Sequence, residues 1–333
     1  MKVQEIRTCI EGWSRDDVVK LLTLTYRKVP KGEAKDELDE VIRNGFSKEP
    51  KPKVVERKLP NYDALRDEID TFCDNAEEGK YYYANRTVSK KERSNWRNTA
   101  KRLLGECRKF QPGDEHYDDS NLLLCQLYDI LGRGTVVYTF ASQEPYTTAG
   151  NESQASFFEE ICTRVLEGSK SDEAMGALVA SCCTGYTDME TSTNTIRRIM
   201  LDVFTDRKDR EQILRLAETQ FAPVKAKHEK LYKNHFSFMI TEDQVFTRKK
   251  YEAYTWFITE TLVRLKGAEE GARYAFEIAP DPVEEVTLFI LLRYHCHEKE
   301  DFIKVYEMGV ARGIEPRDEL KERYNEFLNQ ADK

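Results

Sequence analysis

Apolar residues recur at three- to four-residue intervals along most of this chain, with charged residues filling the positions between them. Val18, Leu21, Leu22 and Tyr26 follow Ser14-Arg15-Asp16-Asp17, a serine N-cap with acids in the first helical turn. Leu65, Ile69, Phe72 and Ala76 predict a helix over 62–76. Trp96, Ala100, Leu103, Cys107 and Phe110 predict a longer one over 90–110, announced by Ser89 and Glu92 as a capping box. Leucines carry another helix over 121–131.

From residue 152 onward, helix starts fall near 152, 171, 188, 207, 245, 267, 282, 299 and 315, with an interruption around 222–244. Asp281-Pro282 supplies one start, an N-cap followed by a proline at the first helical position. Two helices with their turns take roughly 33–37 residues, the period of TPR-like and HEAT-like repeats. The expected fold is therefore all-α, with helix pairs stacked in series as an α-solenoid. Residues 135–154 break the rhythm. Thr135 to Phe140 has strand-like composition, but a lone strand in a helical protein has no partner, so the stretch reads as a helix end plus loop.

Four segments result: a small helical segment over 1–46, a Pro/Lys-rich linker over 47–60, a helical region over 61–150 and a repeat region over 151–333. The linker rests on Pro50, Pro52 and Pro60, which remove donors and hold the preceding residues extended.

The segment SRDDVVKLL (14–22) and the segment DDSNLLLCQLYDIL (118–131) resemble the helical-repeat region that accompanies SWIM-type zinc fingers in bacterial proteins. The likeness implies an interaction module. The finger's own CxC and CxH pairs are missing from this sequence, so no metal role comes with the likeness.

Composition narrows the setting. Of the 333 residues, 34% are charged, more than the usual quarter, as expected where many helices each keep a solvated face. A mean hydropathy of −0.68 and apolar runs no longer than 288–292 exclude a membrane-spanning helix. The charged start MKVQEIRTC lacks the apolar core of a signal peptide, so the eight cysteines, none in a CxxC pair, are expected to be reduced and mostly buried in the cytoplasm.

Net charge is −8, yet from Arg86 to Lys109 nine Lys/Arg face two Glu. On a helical wheel Lys90, Arg93, Arg97, Lys101 and Arg108 share an arc of about 80°, flanking the apolar seam. Lys90 and Lys91 sit where the helix dipole disfavours cations, a cost that a bound anion would offset. Tyr81, Tyr82, Tyr83 and Arg86 lie just upstream, and Trp96 lies on the helix itself. Aromatics beside cations suit interface hot spots, and equally base stacking with phosphate neutralisation. The competing reading is a solvated face, or one neutralised by the acidic stripe Asp63, Asp67, Asp70, Asp74 and Glu77 of the preceding helix. That stripe lies opposite its own helix's seam and should point away.

Other constellations read as structural. His295 and His297 lie about 200° apart on a helix and cannot share a metal. Cys182-Cys183 sits in a small-residue stretch that suits close packing. Lys225, Lys227, Lys230 and Lys233 form a second basic run, read as solvated. No phosphate-binding glycine loop, zinc signature or hydrolase elbow occurs, so neither a cofactor nor a catalytic residue is nominated. The expected function is a non-catalytic scaffold whose basic, aromatic-flanked face holds a protein partner. The alternative is a HEAT-like nucleic-acid-binding protein, with or without repair chemistry.

Overall fold

A computed structural model of the chain describes residues 8–29, 33–44, 58–233, 241–279, 283–296 and 298–329. These residues contain helices joined by turns and no β-strand. They divide into two units, 1–58 and 59–333. Residues 47–57 of the 47–60 linker, Asp281-Pro282, His297 and His235 lie outside the described residues, as does the side chain of Lys233.

The first unit holds α1 (Arg15–Lys28) and α2 (Glu33–Asn44). Ser14 caps α1 by accepting from the Asp17 amide. Tyr26 ties the two helices together: its hydroxyl donates to Asp39, and Lys35 lies 4.7 Å from its ring centroid.

In the second unit the chain forms α3 (Tyr62–Glu77), α4 (Lys90–Cys107), α5 (Tyr117–Arg133), α6 (Pro145–Gly150), α7 (Gln154–Glu167), α8 (Asp172–Cys182) and α9 (Thr193–Val203). It continues through α10 (Arg207–Lys233), α11 (Glu242–Lys266), α12 (Ala268–Ile278) and α13 (Glu284–Ile290). A π-turn over Leu291–His295 leads to α14 (Lys299–Ala311) and α15 (Asp318–Asn329). Helices two apart in sequence pack together: α3, α5, α7, α9 and α11 form one row, while α4 packs on α6, α8 on α10 and α12 on α14. Consecutive helices also touch, most extensively α10 with α11 and α11 with α12. This is an all-α helical-repeat stack, in which each helix buries its apolar stripe against neighbours on two sides.

The predicted seams of α3 and α4 are buried throughout. One core runs from Leu65 to Leu262, passing across residue 150 without a break, and a second runs from Trp256 to Leu320. At roughly 25 cal/mol per Å² of buried apolar area, this continuous burial is the dominant force holding the stack.

Three boundaries differ from the sequence reading, each for a local reason. Asp188 does not start a helix: its carboxylate accepts from the Glu190 and Thr191 amides in a turn, and Ser192 caps α9 instead. The interruption expected around 222–244 does not begin at 222, because α10 runs through Pro223 to Lys233. The helix is held past the missing N–H by packing on α11, where His228 stacks on Tyr251 at 4.2 Å and Lys227 pairs with Asp243 at 2.6 Å. Residues 135–154 form turns and the short helix α6, with no strand among them.

Candidate macromolecule-docking surface

The capping box opens α4: Ser89 Oγ accepts from the Glu92 amide at 3.2 Å, and the Glu92 carboxylate accepts from the Ser89 amide at 2.9 Å. These bonds hold the Glu92 carboxyl below its ordinary range. A carboxylate of the chain's own thus sits at this helix end, where the sequence reading had placed an external anion.

The cations from Arg86 to Lys109, in α4 and on its flanks, fall into two groups. Arg102 pairs with Glu68 of α3, Arg108 lies 2.6 Å from both Glu152 and Glu160, and Lys109 lies 2.7 Å from Glu106. Arg93 spends one guanidinium nitrogen on the Val88 carbonyl at 2.6 Å. Arg86, Lys90, Lys91, Arg97 and Lys101 are exposed and have no ion-pair partner among the described residues. The acidic stripe of α3 does not reach them. Asp63 and Asp67 face Arg66 on their own helix, and Asp70 accepts from Gln126.

The tyrosines also separate. Tyr81 is only 8% exposed and packs on Phe72 and Phe140, and burial pushes its phenol up to about 12. Trp96 is 3% exposed. Both were expected at the contact face, and both belong to the core, because their rings fill the space between α3, α4 and the 134–144 turn. Tyr82 and Tyr83 are 41% and 57% exposed. Tyr138, which the sequence reading did not nominate, is 68% exposed and stands beside them. Ring centroids are 5.1 Å apart for Tyr82 and Tyr138, and 4.8 Å for Tyr82 and Tyr83.

Two loops hold this cluster. In the first, Gly79 has φ +68°, a conformation that glycine adopts without strain, and a Cβ there would meet the Tyr83 ring at 3.1 Å. Asn85 is its hub: Nδ2 donates to the Lys80 and Tyr83 carbonyls, and Oδ1 accepts from the Thr87 and Val88 amides. In the second loop, Phe140 stacks on Trp96 at 4.2 Å and anchors the turn that carries Tyr138. The sequence signal for Tyr138 was faint: one aromatic two residues before another in a stretch without periodicity.

Elsewhere the chemistry is structural. The described cysteines are free thiols, all buried except Cys9. Among the described residues no group of three His, Cys, Asp or Glu could hold a metal, and no helix is long and apolar enough to cross a membrane. His295 is buried, with Nδ1 3.9 Å from a Glu260 carboxylate oxygen that also lies 3.9 Å from Arg197 Nε. Trp256 stacks on His295, and Arg264 pairs with the other Glu260 oxygen at 3.2 Å. This charged knot joins α9, α11 and the π-turn, which distant residues could not reveal in sequence.

Comparison with protein-family models, with curated proteins and with solved structures gave no match.

Proposed function

We propose that this chain is a non-catalytic helical-repeat binding protein that docks a negatively charged macromolecule along the α4 edge. One observation carries the reading. Within one helix and its approach, Arg102, Arg108 and Lys109 are matched to carboxylates, whereas Arg86, Lys90, Lys91, Arg97 and Lys101 are left exposed and unmatched. Like charges gathered within one short stretch, with Lys90, Arg97 and Lys101 on one helix face, repel each other, and an anionic partner relieves that repulsion while gaining steered association. The exposed Tyr82, Tyr83 and Tyr138, in the loops that adjoin α4, add the flat amphipathic area that interfaces use. Buried free thiols fit a reducing compartment, which supports a cytoplasmic setting for the partner.

The test is fluorescence anisotropy at low salt with two labelled polyanions, poly-L-glutamate and a DNA strand of about 20 nucleotides. Wild type binds at least one of them, and the variant Lys90→Glu/Arg97→Glu/Lys101→Glu loses roughly tenfold or more of that affinity. Failure of wild type to bind either polyanion overturns the reading.

A further inference from the structure

The α4 edge combines two features that charge alone does not require together. The first is the unmatched cation row. Lys90, Arg97 and Lys101 follow one face of the helix over roughly 16 Å at 1.5 Å per residue. The second is a tyrosine group in the two adjoining loops, Tyr83 on the approach to α4 and Tyr138 in the turn that Phe140 seats on Trp96, each more than half exposed. Neither ring is loosely tethered. Tyr138 is fixed by Phe140, whose ring is buried on Trp96, and Tyr83 lies over Gly79 in the loop that Asn85 braces.

We propose that the macromolecule held here is single-stranded nucleic acid, with phosphates on the cation row and bases stacked on Tyr138 and Tyr83. This inference rests on the anionic-docking reading above and narrows it. A carboxylate-rich polypeptide satisfies the cations but gives the rings no counterpart. A duplex satisfies the cations too, yet keeps its base faces stacked inside. A single strand presents charge and flat π-faces on one covalent chain, and stacking on aromatic rings with backbone neutralisation is how sequence-tolerant strand binding works. The overall charge of −8 does not oppose this, because the positive residues are segregated: nine Lys/Arg against two Glu between Arg86 and Lys109. Repulsion from the acidic remainder is screened beyond about 10 Å at ordinary salt, whereas direct phosphate contacts are not.

The full-length chain is titrated by fluorescence anisotropy with four labelled probes: an oligo-thymidine strand, an abasic strand of equal length, a duplex and poly-L-glutamate. The thymidine strand should bind at least roughly 5-fold more tightly than the abasic strand, the lower end expected for one stacked base. Tyr138→Ala should erase most of that difference while leaving the salt dependence unchanged, and Tyr138→Phe should restore it. Removing one cation, as in Arg97→Gln, should reduce the salt slope by about 0.7. Equal affinity for thymidine and abasic strands, or a Tyr138→Ala variant that binds like wild type, overturns the inference. Tighter binding of the duplex than of the single strand overturns it as well. Binding of poly-L-glutamate without binding of the strand also overturns it, and leaves the docking reading standing. Silence with every probe overturns both.

Discussion

The Phe140 ring lies nearly parallel to the Trp96 indole, with centroids 4.2 Å apart and planes 21° from coplanar. Phe140 also meets Phe72 and Tyr81, so a residue from an irregular turn is locked into the core between α3 and α4. That lock positions Tyr138 two residues earlier. Phe140→Ala should cost ~3–5 kcal/mol, the usual range for a large buried aromatic, read as a lowered urea midpoint. The same variant should lose affinity for the thymidine strand, because Tyr138 is no longer held beside Tyr82.

Asn85→Ala removes four hydrogen bonds that close the 80–88 loop. Only partly buried, the site should lose ~1–2 kcal/mol of local stability rather than unfold the stack. Hydrogen exchange should show faster exchange at the Thr87 and Val88 amides, with α5 and α7 unchanged.

Lys101 in α4 and Arg108 at its C-terminal cap are both cations, with opposite expected behaviour. Arg108 bridges Glu152 and Glu160, partly buried, and its loss leaves two carboxylates facing each other. Arg108→Met should destabilise by ~1–2 kcal/mol in urea unfolding and have little effect on polyanion binding. Lys101→Met should change stability by less than ~0.5 kcal/mol and weaken binding.

Asp129 of α5 supplies a pH signature. Burial pushes its carboxyl up to about 7 from 3.8, against the lowering effects of the Ser181 hydroxyl and the Lys250 charge. One of its oxygens is buried without a hydrogen bond. Because the native state holds a proton that the unfolded chain has released, stability falls as pH rises from about 4 to about 7 and is flat above. Asp129→Asn should flatten that slope and raise stability at pH 8 by ~2 kcal/mol, measured by urea unfolding across the range.

Local signals were the most legible. The Ser14 and Ser89 caps are set by side chains three residues from the amides they serve, and the α4 seam by its helical period. The paired and unpaired cations look alike in sequence, because Glu152 and Glu160 lie more than forty residues from Arg108. Tyr81, Tyr82 and Tyr83 are chemically identical neighbours, and only the positions of Phe72 and Phe140 in the fold make the first a core residue. The interruption expected around 222–244 begins later than the pattern implied, because packing on the following helix carries α10 through Pro223 to Lys233.

The central claim is that the location of the unmatched cations, rather than total charge, creates the docking edge. It is tested most directly by comparing two double variants that remove equal charge, Arg97→Gln/Lys101→Gln and Arg102→Gln/Lys109→Gln, in one polyanion titration. The account predicts that the first pair loses at least ~10-fold in affinity while the second stays within about twofold of wild type. Equal losses in the two would show that binding follows net charge alone, and would contradict the claim.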